Sequence, residues 1–225
     1  WGFKNYVEGG MYLGVLPILL TIISVAHYFF QKKSAWHQRG YIGFFSVMSI
    51  FCLGFIFGTP IYAFIYYFPG LDQLHSPFRW VWPLSFCISI LSASAIEYAK
   101  HNNNKYTGKT INLLSNISIF FGISITTGVF IAYIFFDTVA PVFTELLFNL
   151  SNASNAFSNT KMFFSYQSRW ILQFATTLVI SGWIISKINS AQHPNWKYII
   201  WLILVCDLTL AGYGFNSSSD PEILD

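Results

Sequence analysis

Six long apolar stretches constrain the fold of this chain more than any other feature of its sequence. A transmembrane helix needs about 20 predominantly apolar residues, and each stretch comes close to that length. The apolar residues occupy all helical faces rather than one stripe, as in helices that contact lipid or lie inside a bundle. The sequence therefore predicts an all-α polytopic transmembrane bundle forming a single domain. Its predicted crossings are residues 11–30, 41–58, 77–99, 111–136, 170–187 and 196–215.

The composition agrees with a protein whose main partner is the lipid bilayer. Charged residues make up only 9% of the chain, whereas a soluble domain carries about 25%. The net charge is +3, and no clustered basic surface of the kind that binds nucleic acid is evident, so we expect no nucleic-acid partner. The cysteines and histidines lack the spacing of a metal site, and we therefore expect no metal and no cofactor.

The distribution of basic residues predicts the orientation in the membrane. Short cytoplasmic loops carry an excess of Lys and Arg. Seven of the nine acidic residues fall on the side that holds only four basic residues. The basic loops are therefore predicted to be cytoplasmic, with both ends of the chain outside. Eight of the 12 Lys and Arg residues fall on the predicted inner side: Lys32, Lys33, Arg39, Lys100, Lys105, Lys109, Lys187 and Lys197.

Small residues spaced four apart occur in two of the predicted crossings, at Gly54 and Gly58 and at Ser118 and Gly122. This spacing places both members of a pair on one helix face. Small side chains there let two membrane helices approach closely, so the pattern favours helix contacts at these two places.

The segment between the second and third crossings, residues 59–80, holds most of the chemistry on the outer side. Thr59-Pro60 has the order of a helix N-cap followed by proline at the first helical position. The next residues, 61–68, are rich in aromatics, which predicts a short helix in the outer interface or a re-entrant turn. Ser76-Pro77 repeats the start signal and opens the third crossing.

Arg79 is the main candidate for ligand binding in this segment. It falls in the first turn of a helix whose N-terminus points outward, where backbone N–H groups and the helix dipole favour an anion. Its planar guanidinium suits a phosphate, and Asp72 and His75 lie close enough in sequence to orient a head group. The alternative is an interfacial arginine that reaches lipid phosphates without specificity or pairs with Asp72.

Asp207 is the ionisable residue placed deepest in a predicted crossing. Acidic groups inside a membrane are costly, and each therefore suggests a function. Asp207 could carry protons, remain protonated, or hold two helices together, and we expect a hydrogen bond across the bundle. No residue has the spacing of a catalytic group, so the sequence identifies no catalytic residue.

Five short runs of the chain resemble, in order, segments of the YfhO-type bacterial membrane proteins. The fourth run contains the Pro-x-Arg pattern of that family, with its arginine at Arg79. The fifth contains Asp207, to which no role is carried over. The runs are residues 6–17 (YVEGGMYLGVLP), 57–62 (FGTPIY), 67–70 (YFPG), 75–80 (HSPFRW) and 206–216 (CDLTLAGYGFN).

The resemblance implies a location in the bacterial cytoplasmic membrane and an architecture similar to glycosyltransferases with lipid-linked donors. Such enzymes take a sugar from a polyprenyl-phosphate carrier on the outer face. Their catalytic acidic residue usually lies in the first outer loop. The resemblance also implies that this chain is the later part of a larger protein, with that residue upstream of Trp1. On this basis Arg79 is the candidate contact for the donor phosphate.

Two other functions remain open at the level of sequence. A lipid or polymer transporter would show inverted repeats, broken helices at the midplane and paired charges inside the bundle. No convincing repeat is present, and Asp207 is the one deep charge. A third possibility, a non-catalytic membrane scaffold for an outer domain, requires none of these features, and nothing in the sequence excludes it.

Overall fold

A computed structural model describes residues 12–30, 39–60, 77–101, 105–145, 157–188 and 196–213. All regular structure within these ranges is helical, which confirms the prediction of an all-α protein for this part of the chain. The elements are α1 (Val15–Phe30), α2 (Arg39–Ile56), a 3-10 turn (Pro77–Trp80), α3 (Val81–His101), α4 (Lys105–Ile134), α5 (Phe136–Phe143), α6 (Thr160–Ile188) and α7 (Trp196–Gly212). The predicted interfacial helix at residues 61–68 lies outside the described ranges.

Two helices are long and apolar enough to cross a membrane. They comprise Gly108–Ile134 in α4 and Thr160–Ile188 in α6, with 27 and 29 residues. At 1.5 Å per residue they extend about 40 and 44 Å, more than the ~30 Å of a bilayer's hydrocarbon core. The described parts of α1, α2, α3 and α7 contain apolar segments of 10–17 residues. The structure thus supports a membrane-associated helical protein, and the count of six crossings stays a prediction.

The third predicted crossing was expected to begin as a helix at residue 77, but its first four residues form a 3-10 turn. Pro77–Trp80 is a 3-10 turn, and the α-helix starts at Val81. Pro83 is the third residue of α3. Because proline has no backbone N–H, it cannot donate the usual bond to the carbonyl four residues earlier, at Arg79. The change from 3-10 to α-helical geometry at Val81 therefore coincides with the missing hydrogen bond between Pro83 and Arg79.

The chain divides into two compact units, one of which contains α4, α5 and α6. In this unit α4 and α6 run antiparallel and pack through small residues. The Ser115 hydroxyl donates a hydrogen bond of 2.8 Å to the carbonyl oxygen of Gly182. A Cβ added to Gly122 would lie 2.8 Å from the carbonyl oxygen of Ala175, so the two backbones approach each other closely there. This is the contact that the spacing of Ser118 and Gly122 favours.

The second unit contains α1, α2, most of α3, and α7. Cys52 and Ile56 on α2 pack against Leu84 and Ile88 on α3 in a buried apolar cluster. The Thr21 hydroxyl of α1 donates to the Ile88 carbonyl oxygen at 3.3 Å, which joins α1 to α3. Apolar packing and a hydroxyl-to-backbone bond thus hold these helices together, as in other bundles whose helices approach closely.

Gly58 ends α2 rather than making a helix contact, contrary to the expectation from its spacing with Gly54. Its φ is +62°, and a Cβ there would have no atom within 4 Å. The backbone N–H of Gly58 donates to Phe55, and that of Thr59 donates to Gly54, both at 3.0 Å. These two bonds are those of a Schellman motif, in which glycine supplies the left-handed residue. The glycine therefore terminates the helix at its predicted outer end.

α6 begins ten residues before its predicted crossing. The backbone N–H of Met162 donates to the side-chain oxygen of Asn159 at 2.8 Å, so Asn159 is the N-cap. An N-cap satisfies one of the free N–H groups at a helix start. The apolar pattern marks only the part of α6 that suits lipid, beginning at Trp170. The more polar residues 160–169 form the first turns of the same helix, before this apolar part.

Candidate functional site

Arg79 lies on the 3-10 turn that leads into α3, and its side chain is exposed. The neighbouring Trp80 fixes this turn to α2. Its ring stacks on Phe55 with a centroid separation of 4.4 Å and an interplanar angle of 16°, and it meets Phe51 edge-on at 6.1 Å. The backbone next to Arg79 is therefore anchored while the guanidinium remains accessible. This arrangement can present a fixed positive charge to an anion at the end of the helices.

Asp72 and His75, the other two predicted contacts for a head group, lie outside the described residues. Whether they meet Arg79 stays a prediction. Of the three predicted contacts, the structure thus describes Arg79, together with Trp80, which anchors the turn that carries it. Trp80 was missed as an anchor because an aromatic residue at a helix end is expected at the membrane interface in any case.

Asp207 lies on α7 and is 4% exposed. Its Oδ1 accepts a hydrogen bond from the Tyr12 hydroxyl at 2.5 Å, and its Oδ2 accepts one from the backbone N–H of Val15 at 3.1 Å. Val15 is the first residue of α1. The carboxyl group thus lies at the N-terminal end of another helix, where the positive end of the helix dipole favours negative charge. Buried polar groups are stable when they are paired in this way.

The start of α1 is built to receive this carboxyl group. Gly14 precedes the helix with a φ of +81°, and a Cβ there would lie 3.4 Å from Asp207 Oδ2 and 3.1 Å from Pro17 Cδ. Glycine adopts positive φ without the steric cost of a side chain. Pro17, at the third helical position, carries no N–H that would need a partner. The run Gly-Val-Leu-Pro is therefore a helix start whose cap comes from α7.

Sequence reasoning identified Asp207 but missed its partners, Tyr12 and the start of α1. Proline is tolerated in the first turn of a helix, so Pro17 is compatible with a helix that starts at Val15. It gives no information about the distant residue that completes the cap, because no local side chain is involved.

In the ranges that the structure describes, no group of three or more His, Cys, Asp or Glu side chains is placed to hold a metal ion. Asp207 makes hydrogen bonds to protein groups with both oxygens. Its described role is therefore to join two helices. Of the two singled-out residues that the structure describes, Asp207 is buried and Arg79 is exposed and accessible to a ligand.

Comparison of the chain with protein-family models, curated proteins and solved structures found no match. The resemblance to YfhO-type proteins therefore stays a prediction that depends on the short runs quoted above. Function must accordingly be inferred from the local geometry around Arg79 and from the apolar character of the helices.

Proposed function

We propose that the protein crosses the bacterial cytoplasmic membrane six times, with both ends of this chain outside. The apolar segments of α1, α2, α3 and α7 would supply four crossings in addition to α4 and α6. Large aromatic side chains on α4 are exposed: Phe120 by 68%, Phe130 by 63% and Tyr133 by 71%. Exposed apolar surface of this kind requires lipid or a partner to cover it.

The ends of the α4–α6 pair support this orientation. Because the helices are antiparallel and Ser115 meets Gly182, Lys109 and Lys187 fall at the same end of the pair. Both side chains are exposed. Positive charge at one end of two adjacent spanning helices is typical of the cytoplasmic side.

The Asp207 contact supports an even number of crossings. Asp207 is the twelfth of the 17 residues of α7, and it bonds to the first residue of α1. The start of α1 and the second half of α7 therefore lie together. A chain that enters with α1 and leaves with α7 at the same side crosses an even number of times, as the six-crossing topology requires.

As its function, the protein forms the membrane part of a cell-envelope glycosyltransferase that uses a polyprenyl-phosphate-linked sugar on the outer face. The single observation that carries this proposal is the exposed Arg79 on a turn anchored by Trp80. Sugar transfer from such a donor needs positive charge to stabilise the departing phosphate. A permanently charged guanidinium in a fixed position supplies it without reorganisation.

The experiment that tests the proposal measures binding of a fluorescent polyprenyl phosphate to the protein in lipid nanodiscs. Arg79→Ala should weaken binding by roughly 10- to 100-fold, since a hydrogen bond to a charged group contributes about 1.5–3 kcal/mol. Arg79→Lys should bind with intermediate affinity, because lysine keeps the charge but loses the bidentate geometry. Trp80→Ala should also weaken binding, since it releases the turn from Phe55.

Lys161→Ala is the matched control, because Lys161 is another exposed cation on the predicted outer side. Its removal lowers the net charge by the same amount and should leave the affinity unchanged. Equal affinities for wild type and Arg79→Ala would contradict the proposed phosphate contact. That result would favour the non-catalytic scaffold.

A further inference from the structure

A cavity of about 330 Å³ lies among α4, α5 and α6, all within one compact unit. Its walls include the rings of Phe143, Phe163 and Phe164 and the backbone of Gly128. Cavities that bind small molecules span roughly 300–1,000 Å³ and are mostly apolar, and this one falls at the lower end of that range. It is therefore large enough for part of a ligand but not for a bulky polar one.

The cavity lies beside the part of α4 that follows its close contact with α6. A Cβ on Gly122 would lie 2.5 Å from a Val179 methyl group, whereas a Cβ on Gly128 would have no atom within 4 Å. Six residues turn a helix by about 600°, so the open side at Gly128 is not the face that meets α6 at Gly122. Wall atoms that face empty space lose their dispersion contacts. Hydrocarbon from a surrounding bilayer can restore those contacts.

Gln167 gives the cavity a polar feature. It lines the wall, is partly buried, and makes no side-chain hydrogen bond to any described residue. The structure gives its amide no protein partner among the described residues, so the amide is available to an occupant of the cavity. Its N–H groups are donors and can bond to an occupant that carries an acceptor. The ester carbonyl at the head of an acyl chain is such an acceptor.

The level of the cavity along α6 fits the region where a lipid's head joins its chains. Gln167 lies three residues before Trp170, at which the predicted crossing begins. Arg169 is exposed, and its guanidinium lies 5.9 Å from the Trp170 ring centroid. Tryptophan and arginine at one level are typical of the membrane interface. A phosphate at this level would have a permanent positive charge nearby.

We propose that the cavity binds one acyl chain of an outer-leaflet phospholipid, with the ester carbonyl accepting a hydrogen bond from the Gln167 amide. The chain fills the space beside Gly128 and between the aromatic walls. This inference rests on the proposed membrane location and orientation, but not on sugar transfer. The site differs in position from Arg79, which belongs to the other compact unit.

The test uses photo-crosslinking in vesicles of phosphatidylethanolamine and phosphatidylglycerol. A fraction of the phosphatidylglycerol carries a diazirine in its acyl chain, and adducts are located by peptide mass spectrometry. Wild type should give adducts concentrated on Phe163, Phe164 and the segment around Gly128. Adducts on Phe120 and Phe130, which are exposed on α4, serve as the internal measure of contact with bulk lipid.

Gly128→Leu is the decisive variant, because Gly128 lines the cavity and a Cβ there would meet no atom within 4 Å, which leaves room for bulk at the cavity wall. It should abolish adducts on Phe163 and Phe164 and leave those on Phe120 unchanged. Thr127→Leu is the matched control. It makes the same addition of bulk one residue away at an exposed position, and it should label like wild type.

Two outcomes would overturn the inference. Wild-type adducts spread evenly over the exposed residues, with none enriched on the cavity walls, would show only surrounding lipid. Equal labelling of Phe163 in wild type and Gly128→Leu would show that the chain does not occupy the cavity. Because Phe120 reports membrane insertion separately, failure of the lipid site is distinguishable from failure of the proposed membrane location.

Discussion

Asp207 shows how one side chain can complete the backbone of a distant helix. Its two oxygens accept bonds from Tyr12 and from the Val15 N–H at the start of α1. The sequence predicts that an acid in an apolar helix needs a partner, because an unpaired polar group is costly there. It could not identify the partner, since the bonded residues are separated by 192 positions in the chain.

Replacement of Asp207 should separate charge from hydrogen bonding. Asp207→Asn should lower the free energy of unfolding by only about 1 kcal/mol, because the amide can accept from Val15 and donate to the Tyr12 oxygen while losing the favourable interaction with the helix dipole. Asp207→Leu should cost about 2–6 kcal/mol, since two polar groups lose their partner at about 1–3 kcal/mol each. Unfolding of the purified protein in detergent measures both.

Thr209→Leu is the control for this pair, because it places leucine at an exposed position on the same helix. It should leave stability unchanged. Equal stability of Asp207→Leu and Asp207→Asn would mean that the contact with α1 contributes nothing to folding.

At the scale of elements, the apolar pattern predicted the six helices but not all of their ends. The pattern detects residues that suit lipid, so it found the Trp170–Lys187 part of α6 and not the turns that Asn159 caps. It also found α4 but not α5, whose eight residues contain Asp137 and Pro141. Helix starts depend on individual capping residues, and the pattern of apolar residues gives no information about these.

The α4–α6 contact should depend on the absence of a side chain at Gly182. A Cβ there would lie 2.9 Å from the Ser115 carbonyl oxygen and 2.9 Å from Ile119 Cγ1. A backbone atom cannot move aside without shifting its helix, so Gly182→Ala should lower the free energy of unfolding by about 1–3 kcal/mol. Thermal unfolding of the protein in detergent measures the loss.

Gly128→Ala provides the matched comparison within the same helix pair, because its Cβ would meet no atom within 4 Å. It should be neutral or more stable by up to about 1 kcal/mol, since alanine favours helix. Equal losses at Gly182 and Gly128 would indicate a general effect of glycine replacement and not a close contact between α4 and α6.

At the scale of the whole molecule, the all-α class follows from the sequence because apolar stretches of this length can satisfy their backbone in lipid only as helices. The crossing number is harder to establish. Four of the six apolar helices have described apolar segments of only 10–17 residues. The orientation is predicted from charges in the loops, and the helices themselves do not determine it. Of the three residues predicted to contact a donor phosphate, the structure describes Arg79 on its anchored turn, whereas Asp72 and His75 lie outside the described residues.

Topology can be tested by labelling single cysteines in cells with a maleimide that does not cross membranes. The three native cysteines are first replaced by alanine. Ser158→Cys should react from outside, whereas Lys109→Cys and Lys187→Cys should react only after permeabilisation, because basic loops are retained in the cytoplasm. Reaction of Lys187→Cys and Ser158→Cys from the same side would contradict a crossing by α6.

The contact between Asp207 and α1 also has a consequence for biosynthesis. The Val15 N–H emerges from the ribosome 192 residues before the carboxylate that receives it. At about 5–20 residues per second, synthesis of the intervening chain takes roughly 10–40 s. During that time the first turn of α1 lacks the carboxylate that completes it. The first helix described here therefore reaches its final form only when the last one arrives.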